Sequence, residues 1–134
     1  MINAINKAIY QKLAGASAVT SQLSGGSAIY YHQAPTGAVL PYIVYIFAGG
    51  GSDNSDPLDS GDVMYYVKAI ARTAQTAGAI ADAIRSTLHE QSVTIDSPWS
   101  VYRCQHNEVL TLVEDVEREQ FYHAGGSYRI RFSL

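Results

Sequence analysis

The sequence has little cysteine and no long hydrophobic run, and each absence excludes a class of protein. Cys104 is the only cysteine among 134 residues, so an internal disulfide and a disulfide-stapled secreted scaffold are excluded. No segment approaches the roughly 18 consecutive apolar residues that a membrane-spanning helix needs. Met1 to Leu13 carries spaced apolar residues and lacks the continuous run of a signal peptide. We therefore expect a protein that is folded in a cytoplasm and has no membrane partner.

Charge is also sparse, at 16% of residues with a formal net charge of −3. This balance argues against a surface built mainly to bind nucleic acid, which needs clustered Lys and Arg, although a local basic patch remains compatible with it. Tyrosine is abundant, with ten Tyr against three Phe and one Trp. Tyr suits both protein–protein interfaces and half-buried strands, and composition does not separate the two. The length fits one domain spanning residues 1–134.

Two segments have the apolar spacing of helices. Ile2, Ile5, Ile9 and Leu13 fall on one helical face, and Gly15 is a plausible end. A second helix is predicted to begin after Thr73 as N-cap. Its apolar stripe consists of Ala77, Ile80, Ala81, Ile84 and Leu88. Residues 16–23 also favour a short helical turn.

The remaining patterns predict strands. They are 28–32, 41–48, 62–72, parts of 99–116, and 127–134, with the acidic run 114–119 as a turn or strand end. The last of them alternates cleanly, with Tyr128, Ile130, Phe132 and Leu134 predicted to point inward. Strands occur in runs and do not alternate strictly with helices. This order predicts an α+β fold, a mainly antiparallel β-sheet with two principal α-helices packed on one face.

A polar, glycine-rich stretch separates two of these strands and is predicted to be a long loop at about 49–61. Gly49, Gly50 and Gly51 lack the Gly-Lys-Ser/Thr of a phosphate-binding loop, which favours a flexible hinge there. Four acidic residues recur at every third position, namely Asp53, Asp56, Asp59 and Asp62. The alternate oxygen ligands and closing Glu of a calcium loop are missing, so we predict a solvated acidic loop and no metal.

The sequence contains only weak candidates for catalytic or metal-binding residues. Cys104 and His106 share a face if their segment is a strand, and His123 is a candidate neighbour. A Cys–His pair can activate a thiolate or bind a metal. No second cysteine exists and no orienting acid is placed by spacing, so we interpret these residues as structural. The sequence predicts a protein that is not an enzyme and uses no cofactor.

The order of these segments resembles the tail-terminator (tail-completion) family of long-tailed bacteriophages. The resemblance covers most of the chain. It consists of the amphipathic N-terminal helix, AIYYHQAPTGAVLPYIVYIFAG, the polar loop, VMYYVKAIAR, the helix AQTAGAIADAIRSTLHEQ and the closing QFYHAGGSYRIRFSL. No segment is a sharp motif, and the order and spacing of the segments carry the resemblance.

The resemblance implies a structural virion protein that forms a hexameric ring at the head-proximal end of the tail. Such a ring stacks on tail-tube protein, ends its polymerisation and meets the head–tail connector or stopper protein, while DNA passes through the lumen without sequence-specific binding. Assembly would take place in the bacterial cytoplasm. Two alternatives stay open: another head–tail joining or minor tail protein, and a small non-viral ligand-binding or regulatory module.

A ring needs head-to-tail contacts between different surfaces of identical subunits. The glycine-rich loop, including the aspartates at every third position, is our first candidate for contact with a neighbouring subunit or ring. Arg129 and Arg131 are predicted to point outward from the last strand, where they are candidates for pairing with acidic groups across a subunit boundary.

Overall fold

The computed structural model describes residues 1–54 and 60–134. The helices are α1 (Ile2–Ala14), α2 (Ser17–Thr20) and α3 (Ala74–Leu88). The strands are β1 (Ile29–Tyr31), β2 (Tyr42–Ser52), β3 (Ser60–Ala71), β4 (Ser100–Val116) and β5 (Glu119–Ser133). These elements confirm the predicted α+β fold with a mainly antiparallel sheet.

The five strands form one sheet in the order β1-β2-β3-β5-β4. Only β1 runs parallel to its neighbour, and the other three pairings are antiparallel. The order makes β1 and β4 the two edges of the sheet. They differ greatly in length, since β1 has three residues and β4 has 17.

The two longer helices lie on one face of the sheet, as the amphipathic patterns predict. Their buried residues Ile5, Ile9, Ile80 and Ile84 join one core with inward residues of the strands such as Tyr65. Thr73 caps α3, and its side chain accepts a hydrogen bond from the backbone N–H of Thr76. The strand residues on this helix-covered face include Ile43, Tyr45, Val63, Tyr65, Val67, Tyr128, Ile130 and Phe132.

The predicted loop at 49–61 is wrong at both of its ends, while residues 55–59 of it lie outside the described residues. β2 continues through Gly49, Gly50 and Gly51 to Ser52, and β3 already begins at Ser60. The register shifts between Phe47 and Gly49, which marks a β-bulge with φ of 140° at Gly49 and 110° at Gly50. The glycines therefore belong to paired strands and do not form the predicted hinge.

The last two strands form a long hairpin. β5 begins at Glu119, eight residues before the predicted start, and the turn consists of Glu117 and Arg118. The acidic run 114–119 thus contains the end of β4, the turn and the start of β5, in agreement with the predicted turn or strand end. Leu134 is an exception to the predicted inward set, because it follows the strand and is 57% exposed. Arg72, beyond the end of β3, lies 3.5 Å from the Glu119 carboxylate and connects β3 to this hairpin.

Candidate assembly interface

The structure brings together four of the residues predicted to form contacts. Gly49, Gly50, Asp62 and Arg129 line one shallow depression on the face of the sheet that the helices leave uncovered. Arg131 lies directly opposite Asp62 in the β3–β5 register. The depression is therefore built from strands and not from a loop.

A single carboxylate serves both arginines of this cluster. The Asp62 Oδ2 lies 3.2 Å from Arg129 Nε and 3.9 Å from Arg131 Nε. All three side chains are partly exposed, so the ion pairs are solvated. One negative and two positive charges leave the cluster, named here the Asp62–Arg cluster, with a formal charge of +1.

The other predicted residues of this region are placed differently. Gly51 lies opposite Asp62 in the β2–β3 pairing. The Asp53 carboxylate accepts a hydrogen bond of 3.2 Å from the Ser60 hydroxyl, which closes the ends of the two strands. Asp56 and Asp59 lie outside the described residues.

The glycines allow the backbones of β2 and β3 to approach closely. A Cβ at Gly50 would overlap the carbonyl oxygen of Asp62, and one at Gly61 would overlap the carbonyl oxygen of Gly51. Larger residues would push these strands apart. The glycine-rich composition that predicts a hinge thus reflects close strand packing at a bulge.

The far half of β4, residues 109–116 next to the hairpin turn, is a second candidate surface. Its exposed apolar side chains are Val109 (69% exposed), Leu112 (55%), Val113 (53%) and Val116 (41%). This half lies on a sheet edge, where one row of backbone N–H and C=O groups has no strand partner within the described chain. An exposed apolar edge strand is suited to pairing with another chain. Sequence analysis predicted a strand here, but without strand order it could not place that strand at an edge.

A groove borders this part of β4 on the helix-covered face. α3 packs on β3 and β5 and contacts β4 only marginally, so the inward side of β4 at Val109, Thr111 and Val113 stays uncovered. Ala74, Ala77 and Gly78 of α3 form the opposite wall of a groove of about 360 Å³. A Cβ added at Gly78 would meet no atom within 4 Å, so the groove is open at that point. We name the space between this wall and the uncovered side of β4, with exposed Val109 and Val113, the β4 groove.

Aromatic side chains gather at the opposite edge of the sheet. The Tyr31 ring packs at a tilt against Tyr45 at 5.2 Å and edge-to-face against His32 at 5.1 Å between ring centroids. The Tyr45 hydroxyl lies 3.4 Å from the backbone oxygen of Asn6, one helical turn before Tyr10 in α1. Burial, followed by Tyr31 and Tyr10, raises the pKa of Tyr45. Tyr10 and Tyr31 are 36% and 38% exposed. We name Tyr10, Tyr31 and His32 the β1-edge aromatic patch.

Cys104 and His106 lie on the same face of β4, as predicted, and fit a structural role. Burial raises the pKa of the Cys104 thiol to about 12, so its reactive thiolate form is disfavoured. His106 packs against Tyr128, and its backbone N–H donates to His89 Nδ1 at 2.9 Å. His123 lies five positions along β5 from Tyr128, the partner of His106, which is about 17 Å at strand spacing. The expected proximity of His123 is therefore wrong.

The part of the chain that the structure describes contains neither a candidate metal cluster nor a helix suited to a membrane. In 1–54 and 60–134, no three or more His, Cys, Asp and Glu side chains come together as a possible metal site. Across these same ranges, no helix is both long and apolar enough to span a membrane.

Comparison with known proteins identifies the family of the chain. No curated protein matches it. A chain in the solved structure "Virion of native gene transfer agent (GTA) particle" shares the fold, with a TM-score of 0.78 at 16% sequence identity. The match covers 99% of this chain and 97% of that chain. The family model "Tail completion protein gp17" matches residues 7–133. Because that match spans nearly the whole chain, the protein belongs to the gp17 tail completion family and is a structural protein of a bacteriophage tail.

Proposed function

We propose that the protein forms a ring of about six identical subunits at the head-proximal end of the tail. The ring ends the tail tube, meets the head–tail connector or stopper protein and lets DNA pass through its lumen. The supporting observation is that the two sheet edges carry different exposed surfaces, the apolar half of β4 and the β1-edge aromatic patch. A closed ring needs two such unlike surfaces, because each subunit contacts its neighbours in a head-to-tail manner.

The charge of the chain is compatible with this role. A formal net charge of −3 does not favour tight binding of phosphates along a DNA channel. The Asp62–Arg cluster lies on the sheet face that the helices leave free, where its spare positive charge suits an acidic partner surface. We assign the cluster to contact with a neighbouring ring or subunit. The role is structural assembly without catalysis, completed in the host cytoplasm.

The first experiment is to measure the mass of the purified protein by light scattering, with and without tail-tube protein, together with negative-stain microscopy. Rings of about six subunits that cap tube ends are expected. Incorporation along the tube would favour another minor tail protein. A monomer or simple dimer that ignores tubes would contradict the ring.

A variant on the apolar edge tests where the subunits meet. Val109→Asp with Val113→Asp places two charges on solvent-exposed positions, so the fold tolerates the change while an apolar contact does not. Ring formation is expected to weaken at least tenfold. Tyr102→Asp is the matched control, because Tyr102 is 57% exposed on the other half of the same strand. Equal loss in both variants would contradict a contact specific to the far half of β4.

A further inference from the structure

We infer that the β4 groove of one copy receives the β1-edge aromatic patch of the next copy. This inference rests on the proposed ring and names the two surfaces that close it. The β4 groove and the patch lie on opposite edges of one sheet, as the strand order places them. They are therefore separate surfaces of each subunit, as a head-to-tail contact requires.

Both surfaces also lie on the same face of the sheet. Val113 pairs with Tyr122, whose neighbours in the packing under α3 are Ala71, Ala77 and Ala124. Tyr31 pairs with Tyr45, which belongs to the main core beneath the helices. Subunits placed side by side with their helices on a common side would therefore bring the groove and the patch to the same level.

The surfaces match in chemistry. The groove walls are small and apolar at Ala74, Ala77 and Gly78, and Val109 and Val113 are apolar side chains without cover in the described chain. Tyrosine rings have the rigid apolar body that fills such a groove, and their hydroxyls can reach polar groups at its rim. The groove supplies a polar partner, since Thr111 lines it on the same side of β4 as Val109 and Val113.

The two ends of the subunit differ in charge. Residues 1–52, which supply α1, α2, β1 and β2, contain no Asp or Glu. They contain two lysines, of which Lys7 is paired with Asp96 at 2.8 Å within the subunit. Residues 108–119, at the far end of the hairpin, contain five acidic residues and one arginine, a formal charge of −4. Two acidic ends would repel each other, whereas the acid-free β1 edge of a second copy offers no carboxylate to oppose the acidic end of the first. This difference in charge selects a second copy, joined head to tail, as the occupant.

Gly78 supplies a variant that fills the groove without harming the fold. Glycine is unfavourable inside a helix, so both Gly78→Ala and Gly78→Leu are expected to stabilise α3. Leu projects into the open space of the groove, whereas Ala adds one methyl group. We expect Gly78→Leu to raise the protein concentration needed for rings at least tenfold and Gly78→Ala to leave it within about twofold. Undiminished assembly of Gly78→Leu would overturn the inference.

Crosslinking tests the contact directly. With Val113→Cys and Tyr31→Cys in one chain, a short bis-maleimide is expected to produce a ladder of covalent oligomers up to the size of the ring. The pair of Tyr102→Cys and Tyr31→Cys is the matched control, and each single variant sets the background. Cys104 can stay in place because it is 1% exposed. The expected ladder appears only with Val113→Cys and Tyr31→Cys together.

The outcomes separate this inference from the proposed function. Rings that form normally but give no ladder would overturn the groove–patch contact and leave the ring proposal intact. If the unmodified protein forms no ring, alone or with tail-tube protein, both proposals fail. A ladder on assembled rings, together with loss of assembly in Gly78→Leu, supports both.

Discussion

Arg129 of β5 and Asp62 of β3 form an ion pair of 3.2 Å on the face of the sheet that carries no helix. Arg131 approaches the same carboxylate at 3.9 Å. These pairs lie within one subunit, and pairing of the arginines with acidic groups across a subunit boundary stays a prediction. Because one carboxylate cannot neutralise two guanidinium groups, the cluster keeps a positive charge for a partner.

We predict that the Asp62–Arg cluster matters more to assembly than to the stability of the subunit. Asp62→Asn is expected to lower the free energy of unfolding by no more than about 1 kcal/mol, because the ion pairs are partly exposed. Arg129→Glu with Arg131→Glu is expected to weaken capping of tail tubes at least tenfold, measured by microscopy. Arg85→Glu, an exposed reversal on α3, is the control. Normal capping by the double reversal would remove the cluster from the interface.

Gly125 is predicted to be essential to the pairing of β3 and β5. A Cβ at this position would overlap the carbonyl oxygen of Val67 and crowd the backbone of Lys68. Gly125→Ala is therefore expected to lower the free energy of unfolding by about 1–3 kcal/mol, measured by urea denaturation. Gly78→Ala, with open space around its added methyl group, is the contrasting variant and should raise the urea midpoint. Destabilisation of both to the same extent would contradict this account.

Acidification is predicted to destabilise the subunit through His123. Desolvation, and then Lys68, lowers the pKa of His123 below 6.5, although Glu114 at 3.5 Å opposes this shift. The unfolded chain thus takes up a proton before the folded chain does. Stability is therefore complete above pH 6.5 and falls as the pH drops from 6.5 through the lower folded pKa.

The measurement is the urea midpoint between pH 7.5 and pH 5, compared with His123→Gln. The variant should lose part of the pH dependence, while His106, whose pKa is also lowered by burial, accounts for a further part. An identical pH profile in the variant would exclude His123 as a contributor.

The Cys104 thiol is predicted to be unreactive in the folded protein. It is 1% exposed, and burial raises its pKa to about 12, so the thiolate is scarce at neutral pH. A coloured thiol reagent should titrate no cysteine in native buffer and one per chain in denaturant. Rapid reaction of the native protein would contradict the buried position.

The hairpin turn is predicted to accept a stabilising replacement. Glu117 and Arg118 both have positive φ, of 49° and 70°, a conformation that Asn and Gly adopt at lower cost in a two-residue hairpin turn. Glu117→Asn with Arg118→Gly is expected to raise the free energy of unfolding by about 1 kcal/mol. An unchanged or lower thermal midpoint would show that the turn differs from this conformation.

Local periodicity predicted the elements whose burial follows a simple repeat. The stripes of α1 and α3 and the alternation of β3 follow from the geometry of helix and strand, so each could be recognised within a few residues. The extension of β2 through Gly49 to Ser52 could not, since glycine-rich polar segments are typical of loops. That segment is a strand only because β3 pairs with it, so closely that no side chain fits between the two backbones.

The sequence by itself determined the class of fold, the lack of an internal disulfide and the order of segments that relates the chain to tail-completion proteins. The tertiary structure alone decided that β1 and β4 are the edges, that Asp62 serves Arg129 and Arg131, and that α3 leaves a groove beside β4. The reason is physical. Side-chain periodicity is a local property, whereas strand order and exposure depend on contacts between residues far apart in the chain.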